Sequence, residues 1–191
     1  ADTIKGGDAD DTIDGGAGDD TISGGAGADT ITGGDDDDTL SFVSGADLAV
    51  DTHVDGGAGT DTIKFTQNGI TDVDDIDFAS VSNIESITFS DGDNIASFGI
   101  KSAIASGVGA LSLNFGSGND VIDASALGKS AIVSSGVGDD QITGSQAGDT
   151  IIIGLNLTSA DTIDGGAGLD ELRFTDSGAS TSDLDGVTNV E

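Results

Sequence analysis

Aspartate recurs every nine residues near the start of the chain, each time at the end of a glycine-rich stretch. Four consecutive nonapeptides follow the pattern Gly-Gly-x-Gly-x-Asp-x-aliphatic-x, with threonine at the seventh position. Their sixth-position residues are Asp11, Asp20, Asp29 and Asp38. Carboxylates, and the carbonyls that glycine-rich turns expose, are the oxygen ligands that calcium prefers, in sets of about six to eight. Two stacked turns can enclose an ion that neither could hold alone, so the repeat predicts calcium bound between turns.

The same repeat predicts the elements that position these carboxylates. A glycine pair permits a tight turn, and the β-branched residues that follow each aspartate favour a short strand. In such strands the aliphatic side chains point inward and the threonines outward. The inward residues are expected to be Ile13, Ile22, Ile31 and Leu40. If two nonapeptides complete one coil, residues 18 apart stack on the same face. The predicted fold class is therefore all-β, a parallel β-roll or β-helix solenoid.

The composition supports a cation-dependent fold. The chain has 36 acidic residues against five Lys plus Arg, a formal net charge of -31, so self-repulsion should keep it disordered without metal. Yet 35% of its residues are hydrophobic, which is more than a solvating acidic tail carries. There is no cysteine for disulfides or thiolate sites. The strong acidity argues against nucleic acid and anionic membranes as direct partners, and no apolar run is long enough for membrane insertion.

The strict period lapses after Phe42 and returns in pieces, at residues 56–65, 135–149 and 165–170. We expect a regular roll over residues 1–41, a first irregular solenoid module over 42–99, and a second module with partial repeats over 100–191. The acidic segments 45–54 and 71–82 are expected to form loops or short helices that project from a coil.

A longer internal repeat is also present, at offsets of 106 to 111 residues. Residues 149–152 repeat 38–41, residues 164–174 repeat 55–65, and residues 187–191 repeat 81–85. This spacing predicts a duplicated module of a tandem array. Because residues 1–5 read as the last positions of a nonapeptide and the second copy stops within a strand, we expect the chain to continue beyond both ends.

The nonapeptides, for example residues 15–23 with the sequence GGAGDDTIS, resemble the RTX (repeats-in-toxin) family. The resemblance implies a right-handed parallel β-roll with several calcium ions between successive coils. In the family, carbonyls at positions two and four and the sixth-position Asp of one turn bind the ion. The next coil adds carbonyls at positions one and three and its own Asp. On this chain, one site would use Gly7, Ala9 and Asp11 with Gly24, Ala26 and Asp29, and another would use Gly16, Gly18 and Asp20 with Gly33, Asp35 and Asp38.

Less regular sites follow from the same resemblance. The stacked aspartates would be Asp38 with Asp61, Asp120 with Asp140, and Asp149 with Asp170, at separations of 23, 20 and 21 residues. Asp2 should begin the column that contains Asp20. Ala9 and Asp36 replace the fourth-position glycine, so we expect strain in those two turns.

The irregular remainder resembles RTX-type bacterial surface-layer proteins and related giant secreted proteins. This implies a calcium-dependent structural or assembly module at the bacterial cell surface, in a surface layer, filament or adhesin, exported unfolded by type I secretion. Self-association, or continuation into further repeats, is expected, with cell-surface polysaccharide as a possible further partner. Two alternatives remain: a secretion-and-folding module of an extracellular protease, lipase or polysaccharide-modifying enzyme, and a glycan- or ice-binding module.

Catalytic chemistry has no support in the residues. His53 is the single histidine, and no Gly-x-Ser-x-Gly motif provides a nucleophile. Pairs of carboxylates could be chosen anywhere among the acidic residues, so such pairs are no evidence for a glycoside hydrolase site. At position five, Asp10, Asp19 and Asp37 are expected to face solvent. We therefore predict no catalytic residue and no enzyme activity.

Overall fold

The computed structural model describes residues 1–99, 109–153, 157–175 and 181–191, and this part of the chain is built almost entirely from short strands. The strands are β1 (Thr3–Gly7), β2 (Thr12–Ala17), β3 (Thr21–Gly25), β4 (Thr30–Asp35), β5 (Thr39–Phe42), β6 (His53–Ala58), β7 (Thr62–Phe65), β8 (Val81–Ser82), β9 (Ser86–Thr88), β10 (Ile95–Ser97), β11 (Leu111–Asn114), β12 (Val121–Asp123), β13 (Ala131–Gly136), β14 (Gln141–Thr143), β15 (Thr150–Ile153), β16 (Thr162–Asp164), β17 (Glu171–Phe174) and β18 (Val187–Thr188). One α-helix, α1 (Gly45–Val50), and two 3-10 helices, Asp75–Phe78 and Thr181–Gly186, complete the described elements.

Every strand pairing between these elements is parallel, as the sequence predicts. One face is a nine-stranded sheet in the order β1-β3-β5-β7-β9-β11-β13-β15-β17. The other face is formed by a four-stranded sheet, β2-β4-β6-β8, and a five-stranded sheet, β10-β12-β14-β16-β18. Each coil thus contributes one strand to each face. The chain is an all-parallel β-solenoid of about eight turns, consistent with a right-handed β-roll.

The strand register confirms that two nonapeptides make one coil. Thr3 pairs with Thr21, and Thr21 with Thr39, in steps of 18 residues. Later coils are longer, and Ser86 pairs with Ser112 after 26 residues. Insertions therefore lengthen individual coils without breaking the nine-stranded sheet, whereas the opposite face is divided into two sheets.

The interior is a stack of aliphatic side chains that widens into an aromatic cluster. Ile22, Ile31 and Leu40 are fully buried, while the threonine side of the first strands faces outward, as predicted. In the middle coils the Phe89 ring lies 4.3 Å from that of Phe115 in a parallel stack and 5.1 Å from that of Phe65. Aromatic side chains thus fill the interior of these longer coils.

The acidic segments predicted to contain short helices do contain them, but these helices pack onto the solenoid and do not simply project. Ser44 caps α1 by accepting a hydrogen bond from the Asp47 backbone N–H at 3.3 Å. Leu48 of α1 and Phe78 of the first 3-10 helix are buried in the core. No helix among the described residues is long and apolar enough to cross a membrane.

The internal repeat is visible in the geometry. A 3-10 helix precedes both β8 and β18, and each strand is followed by an asparagine with positive φ, 52° at Asn83 and 51° at Asn189. Each asparagine donates from Nδ2 to an aspartate of the neighbouring strand, Asn83 to Asp55 and Asn189 to Asp164, both at 2.7 Å. The two segments therefore form the same local structure.

Candidate metal centre

Carboxylates one coil apart are linked into ladders along the solenoid. The Oδ1 atom of one aspartate accepts a hydrogen bond from the backbone N–H of the equivalent residue in the preceding coil. The predicted pairs joined in this way are Asp11 with Asp29 at 2.9 Å, Asp20 with Asp38 at 2.8 Å, Asp38 with Asp61 at 2.8 Å, Asp120 with Asp140 at 3.0 Å and Asp149 with Asp170 at 2.8 Å. Asp2 donates to Asp20 in the same manner. The structure thus brings together every predicted aspartate pair.

Among the described residues these links fall along two lines, one on each face of the solenoid, which we call the first and the second ladder, and every ladder residue lies just before a strand. The first ladder precedes strands of the nine-stranded sheet and the second precedes strands of the opposite face. Three members were not predicted: Asp51, which accepts from Asp29 N at 2.8 Å; Glu85, which accepts from Asp61 N at 2.8 Å; and Asp161, which accepts from Asp140 N at 2.7 Å. Asp161 could have been found, because residues 161–163 repeat the Asp-Thr-Ile triplet. The other two follow insertions that hide the period.

The turns before the ladder residues use left-handed backbone at positions two and four. Gly16 and Gly18 have φ of 91° and 98°, a region open mainly to glycine. Both positions are left-handed in the turns 15–20, 24–29, 33–38, 56–61, 135–140 and 165–170. Asp36 reaches φ 75° at position four, so its turn carries the predicted strain. Ala9 lies outside this region, so the strain predicted for its turn is absent.

Position one is a glycine because two oxygens occupy the space where a side chain would be. A Cβ atom on Gly33 would lie 2.3 Å from the Gly56 carbonyl oxygen and 2.4 Å from Asp38 Oδ2. A Cβ on Gly6 would meet the Gly24 carbonyl oxygen and Asp11 Oδ2, each at 2.4 Å. The second carboxylate oxygen of one turn and the position-one carbonyl of the next coil therefore face the same space.

Five of the second carboxylate oxygens of the described ladder residues are buried without hydrogen-bond partners. This holds for Oδ2 of Asp20, Asp29, Asp38, Asp61 and Asp120. Within the described part of the chain, no lysine, arginine or histidine side chain forms an ion pair with a ladder aspartate. The amino terminus of Ala1 lies 3.4 Å from Asp20, but at Oδ1. A buried and unpaired carboxylate oxygen is costly, so the Oδ2 atoms fit a cation that the protein itself does not supply.

The pKa values of the ladder carboxylates also indicate that a positive charge is missing. Burial, with repulsion from neighbouring carboxylates, raises the pKa of Asp51, Asp61 and Asp120 to about 6. For Asp38 and Asp140 the same causes, burial first, raise the pKa above its ordinary value. A bound divalent cation would reverse this shift, because it favours the ionised carboxylate.

The donor set suits a hard cation held by oxygen. Among the described residues, no group of three or more His, Cys, Asp or Glu side chains converges on one point. An ion between two coils would therefore have to combine ladder carboxylates with turn carbonyls. That mixture fits calcium, whereas zinc sites rely on sulfur and nitrogen ligands.

One predicted carboxylate has partners for both of its oxygens. Asp149 Oδ1 accepts from Ala131 N at 2.7 Å and lies 2.7 Å from the Ser145 hydroxyl, while Oδ2 accepts from Ser145 N at 2.5 Å. Serine replaces glycine at position two of this turn. The Asp149 turn is therefore already satisfied by hydrogen bonds, unlike the regular turns.

The position-five aspartates face solvent, as predicted, and some also join coils. Asp10 Oδ1 accepts from Ala28 N at 2.9 Å and Asp37 Oδ1 from Thr60 N at 2.7 Å. The side chain of His53 is 49% exposed, and its nearest described carboxylate partner is Asp55 at 3.9 Å. His53 thus lies on the surface, outside both ladders.

Comparison with known proteins agrees with the geometry. The family model of the RTX calcium-binding nonapeptide repeat (4 copies) matches residues 1–31, 15–49 and 157–173, which together make up less than half of the chain. Comparison with curated proteins and with solved structures found no significant match. The matched segments contain the regular turns that begin both ladders.

Proposed function

We propose that this chain, which carries RTX calcium-binding nonapeptide repeats, is a calcium-dependent structural and assembly module of a secreted bacterial cell-surface protein, such as a surface layer, filament or adhesin. The observation that carries the proposal is the row of buried, unpartnered Oδ2 atoms along both ladders. These oxygens lie between coils, so cations held there would join one coil to the next. The ligands would be the turn carbonyls and sixth-position aspartates set out above for each pair of turns.

Calcium binding of this kind makes folding depend on the calcium concentration. Extracellular calcium modules bind with dissociation constants of roughly 0.1 to 1 mM. Millimolar calcium then contributes about 1 kcal/mol per site to the folded state. Because each ladder aspartate touches two neighbouring coils, successive sites are coupled and the transition should be steep.

The same dependence supports export as an unfolded chain. Where calcium is scarce, as in the cytosol, the ladder carboxylates repel one another and the net charge of -31 opposes compaction. Outside the cell the ions would join the coils. We accordingly place the module outside the cell, with the regular roll of residues 1–41 as the part most dependent on calcium and the modules 42–99 and 100–191 as its continuation.

The role we assign is one of assembly, without catalysis. Ions that neutralise the acidic surface would let copies of the module associate with one another or with acidic cell-surface polysaccharide. The matched repeat family is a structural calcium-binding module, which favours this role. Light scattering with and without calcium tests the self-association: particles larger than a monomer should form in calcium, and a strictly monomeric profile at high protein concentration would contradict it.

The experiment that tests the calcium-dependent fold is a titration followed by far-ultraviolet circular dichroism. Purified protein in chelator should give the spectrum of a disordered chain, and millimolar calcium should convert it to a strand spectrum. Magnesium should substitute poorly, because it requires a small octahedral shell and keeps its waters. A strand spectrum that persists unchanged in excess EGTA would contradict the proposal.

A further inference from the structure

The second ladder contains an asparagine, Asn94, at the position that a carboxylate occupies in the three following coils, at Asp120, Asp140 and Asp161; each such position is called a rung. Asn94 lies just before β10 and is completely buried. Its backbone N–H donates to Asp120 Oδ1 at 2.8 Å, and its own Oδ1 accepts from Ile70 N at 3.0 Å. Asn94 therefore makes both of the ladder hydrogen bonds that an aspartate makes elsewhere.

Its side-chain nitrogen occupies the place of the second carboxylate oxygen and binds the groups around it. Asn94 Nδ2 donates to the Ser90 carbonyl at 3.1 Å, the Gly92 carbonyl at 2.7 Å and Asp120 Oδ1 at 2.9 Å. Ser90 and Gly92 stand at positions two and four of this turn. In the regular turns the carbonyls of those positions, together with the carboxylates, are the oxygens available to an ion.

The orientation of the amide is fixed by its neighbours. On one side it meets a donor, the Ile70 N–H, and on the other it meets three acceptor oxygens. Turning the amide over would place its oxygen against those acceptors and its NH₂ group against a donor. The NH₂ group must therefore face the two carbonyls and the carboxylate.

We infer that Asn94 replaces a calcium ion in this rung. Its NH₂ group binds the turn carbonyls and the next carboxylate through hydrogen bonds, and its neutral side chain removes one of the two charges that would attract a cation. This inference rests on the proposed function. It adds that the coils joined at Asn94 are held together without metal, whereas other coils depend on calcium.

The turn at Asp149 is a second, independent example of a side chain that takes the place of an ion. The Ser145 hydroxyl lies 3.1 Å from the Ala147 carbonyl oxygen and 2.7 Å from Asp149 Oδ1, which are groups at positions four and six. A polar side chain again connects the atoms that an ion would otherwise hold. Fewer ions than stacked turns should therefore bind to the solenoid.

The test is Asn94→Asp, which restores the carboxylate of the regular repeat. Calcium bound per chain, measured by equilibrium dialysis at saturation, should rise by one ion relative to the wild type. The calcium-induced folding transition should move to higher calcium and become steeper, because this rung would then require an ion. Asn94→Ala removes the amide without adding a ligand, so its transition should also move to higher calcium while the number of ions does not rise.

Asn119→Asp is the matched control. Asn119 is exposed at position five, where its Oδ1 accepts from Asp139 N at 2.9 Å, and aspartate can keep that hydrogen bond. The variant adds the same charge one residue from Asp120 but should leave the number of ions unchanged. Two outcomes would overturn this inference alone, provided that the wild type binds calcium. In the first, the Asn94→Asp variant binds no additional ion; in the second, calcium does not fold that variant. A wild type that binds no calcium would overturn the proposed function as well.

Discussion

At the residue scale, the two oxygens of a ladder carboxylate have different tasks. Oδ1 accepts a backbone N–H from the preceding coil, as at Asp38 and Asp61, and so sets the spacing of the coils. In both of these residues Oδ2 remains buried and without a protein partner. The sequence predicts which aspartates align, but it does not reveal this division, because the backbone hydrogen bond depends on the approach of two coils.

Asp38→Asn should separate these two tasks. Asparagine can keep the hydrogen bond from Asp20 N through its oxygen, but it removes a charge from the predicted sites with Asp20 and Asp61. We expect one or two fewer ions bound at saturation and a loss of about 1 kcal/mol of calcium-dependent stability per ion. Asp37→Asn, at the exposed fifth position, is the control. Equal ion numbers in the Asp38 variant and the wild type would show that Asp38 is not a ligand.

The raised carboxyl pKa values predict opposite pH effects with and without calcium. Asp51, Asp61 and Asp120 have a pKa of about 6 in the fold, above the ordinary value of 3.8. Their ionisation therefore opposes folding above pH 6, and this penalty is relieved as the pH falls through 6 toward the ordinary value. In calcium-free buffer, lowering the pH from about 7.5 to 5 should increase the strand signal in circular dichroism.

In calcium the direction should reverse. Protons compete with the ion for the same carboxylates, so the calcium concentration needed for half-folding should rise as the pH falls through 6. Calcium titrations at several pH values measure this shift. A half-folding concentration that is constant between pH values above and below 6 would mean that these carboxylates do not bind the ion.

At the element scale, the turns depend on glycine where two oxygens face the same space. Gly33→Ala would place its Cβ 2.3 Å from the Gly56 carbonyl oxygen. We expect a loss of about 1–3 kcal/mol of stability in calcium from this overpacking, together with weaker ion binding at that turn. Gly128→Ala is the control, because a Cβ there has no neighbour within 4 Å. The measurement is chemical unfolding at fixed calcium, and equal stability of the two variants would contradict the assignment.

The aromatic cluster stabilises the middle coils in a different way. Phe89 packs between Phe65 and Phe115, so Phe89→Ala should cost about 3–5 kcal/mol by leaving a cavity. Calcium dialysis at saturation should still find the wild-type number of ions, because the ring packs against the other aromatic rings of the core. If the variant folds and loses ions, the aromatic core and the ladders are more closely coupled than this account allows.

The strands and the first coils could be predicted from the sequence because their period is strict. Each aliphatic residue at position eight of the nonapeptides 6–41 is buried, as expected. Partial repeats also predicted the register of three later coils, whose aspartates are 23, 20 and 21 residues apart. The register across α1 and the 3-10 helices could not be predicted, since these inserted elements leave no period to follow. Asp51 and Glu85 belong to the ladders, but they were not predicted because inserted residues, and no recognisable repeat, precede them.

At the scale of the whole molecule, charge and packing oppose each other. Parallel pairing along the nine-stranded sheet stacks carboxylates of many successive coils, in a chain whose net charge is -31. The apolar interior favours this stacking and the repulsion opposes it. Cations between coils would decide the balance, except at rungs such as that of Asn94, where the protein provides its own hydrogen-bond donors.

The most direct test of this account is a crystal structure of the protein grown in calcium. We expect metal density between Asp11 and Asp29, between Asp20 and Asp38, and at the equivalent regular turns, with ligand distances of about 2.3–2.6 Å. We expect none beside the NH₂ group of Asn94. Regular turns without metal density at saturating calcium would contradict the central claim that ions join the coils.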